Sequence, residues 1–120
     1  MFKLKDWIDK IDWWWLSSNP SAGALTLLEN NQDEIYWYAL SGNPSALTLL
    51  EQNQDEIDWD ELSANPSARA IALLEKNQDK IYWDSLSLNP SARAIALLEK
   101  NQDKIDWDLL SRNPAIFEYV

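Results

Sequence analysis

The dipeptide Asn-Pro recurs at residues 19, 43, 65, 89 and 113, at intervals of 24, 22, 24 and 24. Trp13, Trp37, Trp59, Trp83 and Trp107 recur at the same intervals. A fixed period of this length limits the fold more than any other feature. A unit so short cannot bury a hydrophobic face alone, so it must stack on its neighbours in a solenoid-like array. The chain divides into repeats 19–42, 43–64, 65–88 and 89–112. Residues 1–18 form a partial leading unit and 113–120 a partial trailing one, and residues 1–120 read as one repeat domain. Repeats 65–88 and 89–112 are identical except at Tyr82/Asp106, Ser85/Leu109 and Leu88/Arg112.

Each unit reads as two short helices. In NPSARAIALLEK, residues 65–76, Asn65 is a suitable N-cap and Pro66 suits the first helical position. Ala68, Ile71 and Leu74 recur at helical spacing, and Ala70, Ala72 and Leu73 widen that face. Glu75 and Lys76 are solvent candidates. The turn chemistry of Asn77-Gln78-Asp79 predicts the end of this helix. The second element, residues 80–88, has two readings. One is a single helix from Asp79. The other places an extended step at Ile81, with the residue before the tryptophan capping a helix that runs from Trp83. Asp58 and Asp106 fit the cap and weigh towards the second reading, although Tyr82 cannot cap in that way. Trp83 and Leu86 then share the inward face. Such short helices depend on packing, and no segment reads as a strand. The expected fold is all-α: tandem two-helix repeats stacked as an α-solenoid.

Repeat 43–64 lacks two residues in its first half. Pro44 precedes Glu51 by seven positions, whereas Pro66 precedes Glu75 by nine. Two residues amount to about 200° of helical rotation. A deletion in mid-helix would turn the apolar face away, so the expectation is a shorter first helix with a shifted start and a local change in curvature.

Units of the form NPSAxAxxLLEKNQDKIDWDxLSxNP, with the terminal LSRNPAIFE, resemble the short tryptophan-containing tandem repeats found in many proteins of giant DNA viruses and some algae. The resemblance spans nearly the whole chain. Those repeats commonly have 22 residues, a length that only repeat 43–64 matches. The resemblance implies a fold-forming array and no catalytic residues. An engineered array on such a template would look the same.

The composition removes several kinds of chemistry. The chain has no cysteine and no histidine, so neither disulfides nor Ser-His-Asp or Cys-His catalysis is available. Its serines sit in recurring Leu-Ser and Pro-Ser helix-end contexts, which point to structural use rather than a Ser-Lys pair. Two glycines, Gly23 and Gly42, provide no phosphate-cradling loop. Carboxylates are too widespread to single out an acid/base pair. The densest run, DEIDWDE at 55–61, lacks the glycine and the ligand spacing of a calcium loop. No cofactor, metal or catalytic residue is therefore expected. The charged N-terminal segment MFKLKDWIDK does not suit a signal peptide, and no apolar run nears the roughly 18 residues of a membrane span. The expectation is a soluble, intracellular protein that does not bind membranes.

The net charge of −10 is unevenly placed. Residues 11–68 hold ten acids and no lysine or arginine, while the remainder is balanced. That argues against nucleic acid and leaves a basic protein or peptide as the charge-matched partner. The recurring Trp13, Trp37, Trp59, Trp83 and Trp107 are expected to form a structural ladder buried between units. The better interaction candidates are aromatics that break the frame. Trp14 and Tyr38 stand where later units have Asp60, Asp84 and Asp108. Trp15 stands where they have Glu61, Ser85 and Leu109, and Tyr36 matches Asp58 and Asp106. Both ends are apolar, with Trp13-Trp14-Trp15 at one and Ala115-Ile116-Phe117, Tyr119 and Val120 at the other. Arrays need polar-faced terminal units to stay soluble, and exposed apolar ends favour self-association, so homo-oligomerisation through these ends is expected.

Overall fold

A computed structural model describes residues 2–120. All regular structure among them is helical. The α-helices are α1 (Trp13–Ser17), α2 (Ala22–Glu29), α3 (Trp37–Ser41), α4 (Leu47–Gln52), α5 (Trp59–Ser63), α6 (Ala68–Glu75), α7 (Trp83–Ser87), α8 (Ala92–Glu99) and α9 (Trp107–Leu110). Short 3-10 turns lie at Gln32–Glu34, Gln54–Glu56, Gln78–Lys80, Gln102–Lys104 and Pro114–Ile116. Each repeat is thus a longer first helix, a 3-10 turn, a two-residue extended step and a short second helix that starts at the tryptophan.

The extended step is the second of the two sequence readings. Ile81 lies at φ −69°, ψ 132°, and Tyr82 at φ −91°, ψ 99° precedes α7. Ile35, Ile57 and Ile81 are buried at this step. Asp106 caps its helix as expected, its Oδ1 accepting from the Leu109 N–H; Asp12, which the sequence reading did not single out, caps α1, its Oδ1 accepting from the Trp14 and Trp15 N–H groups. Tyr36 and Tyr82 supply no side-chain cap.

The first helices end without glycine, and no described residue has positive φ. In place of a glycine cap, Asn77 Nδ2 donates to the Leu73 carbonyl at 2.9 Å and Gln78 Nε2 to the Glu75 carbonyl at 3.3 Å. Asn31-Gln32, Asn53-Gln54 and Asn101-Gln102 do the same. The Asn-Gln pair thereby satisfies carbonyls that a helix end leaves without partners.

Two expectations for the first helix need correction. Asn65 is not its N-cap. The helix α6 begins at Ala68, and Ser67 is the cap, accepting from the Arg69 N–H. Asn65 lies further back, spanning Pro66 in a turn in which its Oδ1 accepts from the Ser67 N–H at 3.0 Å. The buried face is Ala70, Ile71, Leu73 and Leu74, while Ala68 is exposed in the first turn. Only in the trailing unit does the asparagine cap directly: Asn113 precedes Pro114–Ile116 and accepts from the Ala115 N–H.

Repeat 43–64 has the shortened helix that its length predicts. The helix α4 has six residues, against eight in α2, α6 and α8. Counted back from the glutamate, Ala46, Leu47, Leu49 and Leu50 take the places of Ala70, Ile71, Leu73 and Leu74, and all are buried. The two residues are lost from the start, so the apolar face keeps its direction, while Ser45 stays in the sequence but no longer caps the helix, whose N-cap is Ala46.

The residues fall into two compact units, divided between Asp58 and Trp59. In the first, α1 packs on α2 and α3. In the second, α5 packs on α6 and α7, α7 on α8 and α9, α6 on α8, and the Pro114–Ile116 turn on α8. Within each unit, helices of equivalent position stack, which is the α-solenoid arrangement. The cores are built of Leu, Ile and Ala, with Leu28, Leu40, Leu50, Leu62, Leu74 and Leu86 wholly buried.

Candidate functional site

The recurring tryptophans occupy the first position of each short helix, at the edge of the core rather than inside it. Trp13, Trp37, Trp59 and Trp83 are half-buried, and Trp107 is 57% exposed. The enclosed ladder expected from the repeat is instead made of the leucines of Leu-Ser and the isoleucines of Ile-x-Trp. Two indole faces carry a cation from the following repeat. Lys80 Nζ lies 5.0 Å from the Trp59 ring centroid, and Lys104 Nζ 6.0 Å from that of Trp83. The geometry is that of a cation–π contact.

What joins one repeat to the next is a polar device that the sequence reading did not single out. The serine of Leu-Ser is fully buried at Ser17, Ser41, Ser63 and Ser87. Each hydroxyl donates to the tryptophan carbonyl four residues earlier at 2.7 Å. Each also accepts a backbone N–H from the next repeat: Tyr36 to Ser17 at 3.1 Å, Asp58 to Ser41 at 2.9 Å, Tyr82 to Ser63 at 3.0 Å and Asp106 to Ser87 at 3.1 Å. The asparagine of Asn-Pro completes the joint. Asn43 Nδ2 donates to the Ser17 and Asn19 carbonyls, Asn89 to those of Ser63 and Asn65, and Asn113 to those of Ser87 and Asn89. Among the described residues no buried side-chain nitrogen or oxygen lacks a partner. One signal was available in the sequence: the serine persists at all five positions although the residue after it changes from Ser18 to Gly42, Ala64, Leu88 and Arg112.

Of the frame-breaking aromatics, three come together. The Trp14 ring stacks on Tyr38 with centroids 5.6 Å apart and planes 19° apart, and meets Tyr36 edge-on, also at 5.6 Å. Trp14 and Tyr38 hold the same position in successive units, so the pair replaces what is an aspartate at Asp60, Asp84 and Asp108. Tyr36 and Tyr38 are half-exposed. Trp15 is outside this stack and 70% exposed, as is Trp7 at 78%.

Open hollows lie within each of the two units among the described residues. One of about 210 Å³ lies between α2 and α4, where the shortened helix leaves Leu25, Thr26, Thr48 and Leu49 facing a gap. Another of about 260 Å³ lies beneath the N-terminal segment, whose Phe2, Leu4 and Ile8 face Leu16, Ala24 and Leu27. The third, about 240 Å³, is lined by Ile95, Leu98, Ile105, Trp107, Leu110 and Ile116, with Glu99 and Gln102 at its rim. Its walls are apolar, which suits packing rather than polar chemistry. Among the described residues no three acidic side chains converge as a metal site would require. In the 55–61 run, Asp55 and Glu56 are exposed and Asp60 accepts from the Ser85 hydroxyl. No helix among the described residues is long and apolar enough to cross a membrane. In comparisons with known proteins, no family model, characterised protein or solved structure matches the chain.

Proposed function

We propose that this chain is a non-enzymatic helical-repeat scaffold, structural or self-assembling, that works inside the cell without a cofactor. One observation carries the reading: the buried polar groups are spent on joining repeats. Ser17, Ser41, Ser63 and Ser87 are tied up between a tryptophan carbonyl and the next repeat's N–H, so no buried hydroxyl remains for chemistry. The exposed large apolar side chains, among them Phe2, Trp7, Trp107, Phe117 and Tyr119, support self-association. The resemblance to the tryptophan-containing viral and algal repeats, natural or engineered, points the same way. Light scattering across a dilution series tests it. The expected result is a mass that rises with concentration; a constant monomer mass sinks the self-association.

A second reading is favoured by the Trp14–Tyr36–Tyr38 stack, which sits in the stretch that lacks lysine and arginine. Exposed aromatic rings amid acids suit a basic peptide, whose arginines stack and pair at once. Changing Trp14 and Tyr38 to aspartate separates the two readings. Loss of oligomers favours the scaffold, and loss of a basic peptide with oligomers intact favours recognition.

A further inference from the structure

The hollow at α9 is the face that an internal repeat covers with its successor. Ile71 and Leu86 are wholly buried and Ile81 nearly so, whereas their equivalents Ile95, Leu110 and Ile105 are only half-buried. Ser87 is fully buried, but Ser111 is exposed: its hydroxyl donates to the Trp107 carbonyl and accepts no N–H. Among the described residues no lysine lies over the Trp107 ring, unlike those of Trp59 and Trp83. This face therefore has three unmet requirements: a backbone N–H for Ser111 Oγ, an asparagine amide for the Ser111 and Asn113 carbonyls, and a cation for the Trp107 ring.

The leading unit carries all three in the repeat's own register. Asp9-Lys10-Ile11-Asp12-Trp13 repeats the frame Asp103-Lys104-Ile105-Asp106-Trp107. Asp12 has the extended geometry of an internal joint, φ −98°, ψ 112°, against φ −83°, ψ 101° at Asp106. Among the described residues its N–H meets no acceptor, although the equivalent N–H of Tyr36 reaches Ser17. Asn19 is exposed. Its Oδ1 accepts from the Ser21 N–H, but among the described residues its amide meets no acceptor, whereas Asn43, Asn89 and Asn113 each donate twice. Lys10 holds the position of Lys80 and Lys104.

We propose that copies of this chain join head to tail by continuing the repeat, with α1 of one copy stacking on α9 of another as α9 stacks on α7. In this register Asp12 N–H meets Ser111 Oγ, Asn19 Nδ2 meets the Ser111 and Asn113 carbonyls, and Lys10 lies over Trp107. The argument is continuity with the repeat-to-repeat interface inside the chain, together with matched donors and acceptors at Lys10, Asp12 and Asn19 on one side and at α9 on the other; Phe2, Leu4 and Ile8, which lie against Leu16, Ala24 and Leu27, must yield where the copies join. It rests on the self-assembling scaffold reading and gives that reading a geometry. The contact is heterologous, so each copy keeps one donor and one acceptor face and association proceeds beyond two.

Sedimentation velocity on the full chain and two variants tests it. Lys10→Glu with Asn19→Asp blocks the donor face with exposed substitutions, and the aspartate still accepts from the Ser21 N–H, so folding is retained. Trp107→Asp with Leu110→Asp blocks the other face, with circular dichroism as the check on folding. The expected result is a concentration-dependent series for the wild type and association weakened at least about tenfold for each variant alone, from lost hydrogen bonds and buried charge. An equimolar mixture of the variants stops at a dimer, because only one pair of faces is intact. If the second variant loses its helical signal, the donor-face variant decides alone, since its substitutions lie outside any core. Wild-type-like association of the donor-face variant, as a tail-to-tail dimer would give, overturns the register while leaving self-assembly standing. A mixture that stays monomeric overturns it too. A wild type that is monomeric at every concentration removes the scaffold's self-association itself.

Discussion

Replacing Ser87 with alanine removes one oxygen and leaves the backbone as it is, yet it strips the joint between repeats 65–88 and 89–112. Ser87 is fully buried, its hydroxyl donating to the Trp83 carbonyl at 2.7 Å and accepting from the Asp106 N–H at 3.1 Å. Alanine fits the space and is the better helix former, so neither a clash nor propensity obscures the effect. The Asp106 N–H is then left without an acceptor at the entry to α9, and a buried donor without a partner costs about 1–3 kcal/mol. The Trp83 carbonyl loses a donor but keeps the Ser87 backbone N–H of its helix, so its loss is smaller. The expected destabilisation is about 2 kcal/mol, which moves a urea midpoint by about 1 M for a chain of this size.

Ser111→Ala is the matched control. Ser111 makes the same bond to the tryptophan carbonyl, at 2.8 Å, but it is exposed and accepts no N–H. Its removal should cost less than about 0.5 kcal/mol, in the range of a surface change. Both variants are measured by urea denaturation monitored by circular dichroism, at a concentration low enough to exclude association. Equal midpoints for the two would refute the reasoning, because they would mean the hydroxyl contributes only within its own helix.

Three other substitutions probe the remaining parts of the unit. Asn89→Asp keeps the acceptor for the Ser91 N–H but turns a carboxylate on the Ser63 and Asn65 carbonyls, and should destabilise by about 3 kcal/mol or more in the same assay. Trp83→Ala should cost about 2 kcal/mol, less than the 3–5 of an enclosed indole, and Trp107→Ala about 1, because its ring is mostly exposed in the free chain; equal losses would contradict the edge placement. Gly23→Ala should stabilise by about 0.5 kcal/mol through helix propensity, since the added Cβ would lie at ordinary contact distance, 3.6 Å, from Phe2; a lower melting temperature would show that the N-terminal segment packs more tightly.

The period, the all-α fold, the extended step at Ile81 and the shortened helix of repeat 43–64 were legible because each follows from spacing or from local backbone chemistry. A deletion that must preserve an apolar face has to fall at a helix end, and α4 begins late for that reason. The asparagine and tryptophan roles were not legible in the same way. Asn65 has the chemistry of an N-cap, and nothing local separates that role from spanning Pro66; its equivalents Asn43, Asn89 and Asn113 reach carbonyls 24 and 26 residues earlier. Trp83 recurs because it starts a helix at the joint, but whether a ring at that position lies inside or at the edge depends on how the next repeat is placed. The Trp14–Tyr38 stack was legible in part: both aromatics break the same aspartate position one unit apart, and stacked units bring equivalent positions together.

Near-identical repeats raise a difficulty that apolar packing alone does not solve. Leu73-Leu74 and Leu97-Leu98 present almost the same surface, and a non-directional contact between such surfaces fixes neither the angle nor the offset of one unit on the next. The joint at Ser87 and Asn113 supplies three directional bonds: Asp106 N–H to the hydroxyl, and the amide to two carbonyls. A unit displaced by one residue loses all three and leaves buried donors unpaired, so the penalty for slippage far exceeds the small net gain of the bonds themselves. The ladder therefore acts mainly on specificity of stacking and only secondarily on stability. The same reasoning applies to the open α9 face, where a partner that covers Ile105 and Leu110 without supplying an N–H to Ser111 forgoes the directional half of the joint. An apolar surface alone accepts many partners; in the proposed head-to-tail register, the unmet acceptors at Ser111 and Asn113 would favour another repeat of the same kind.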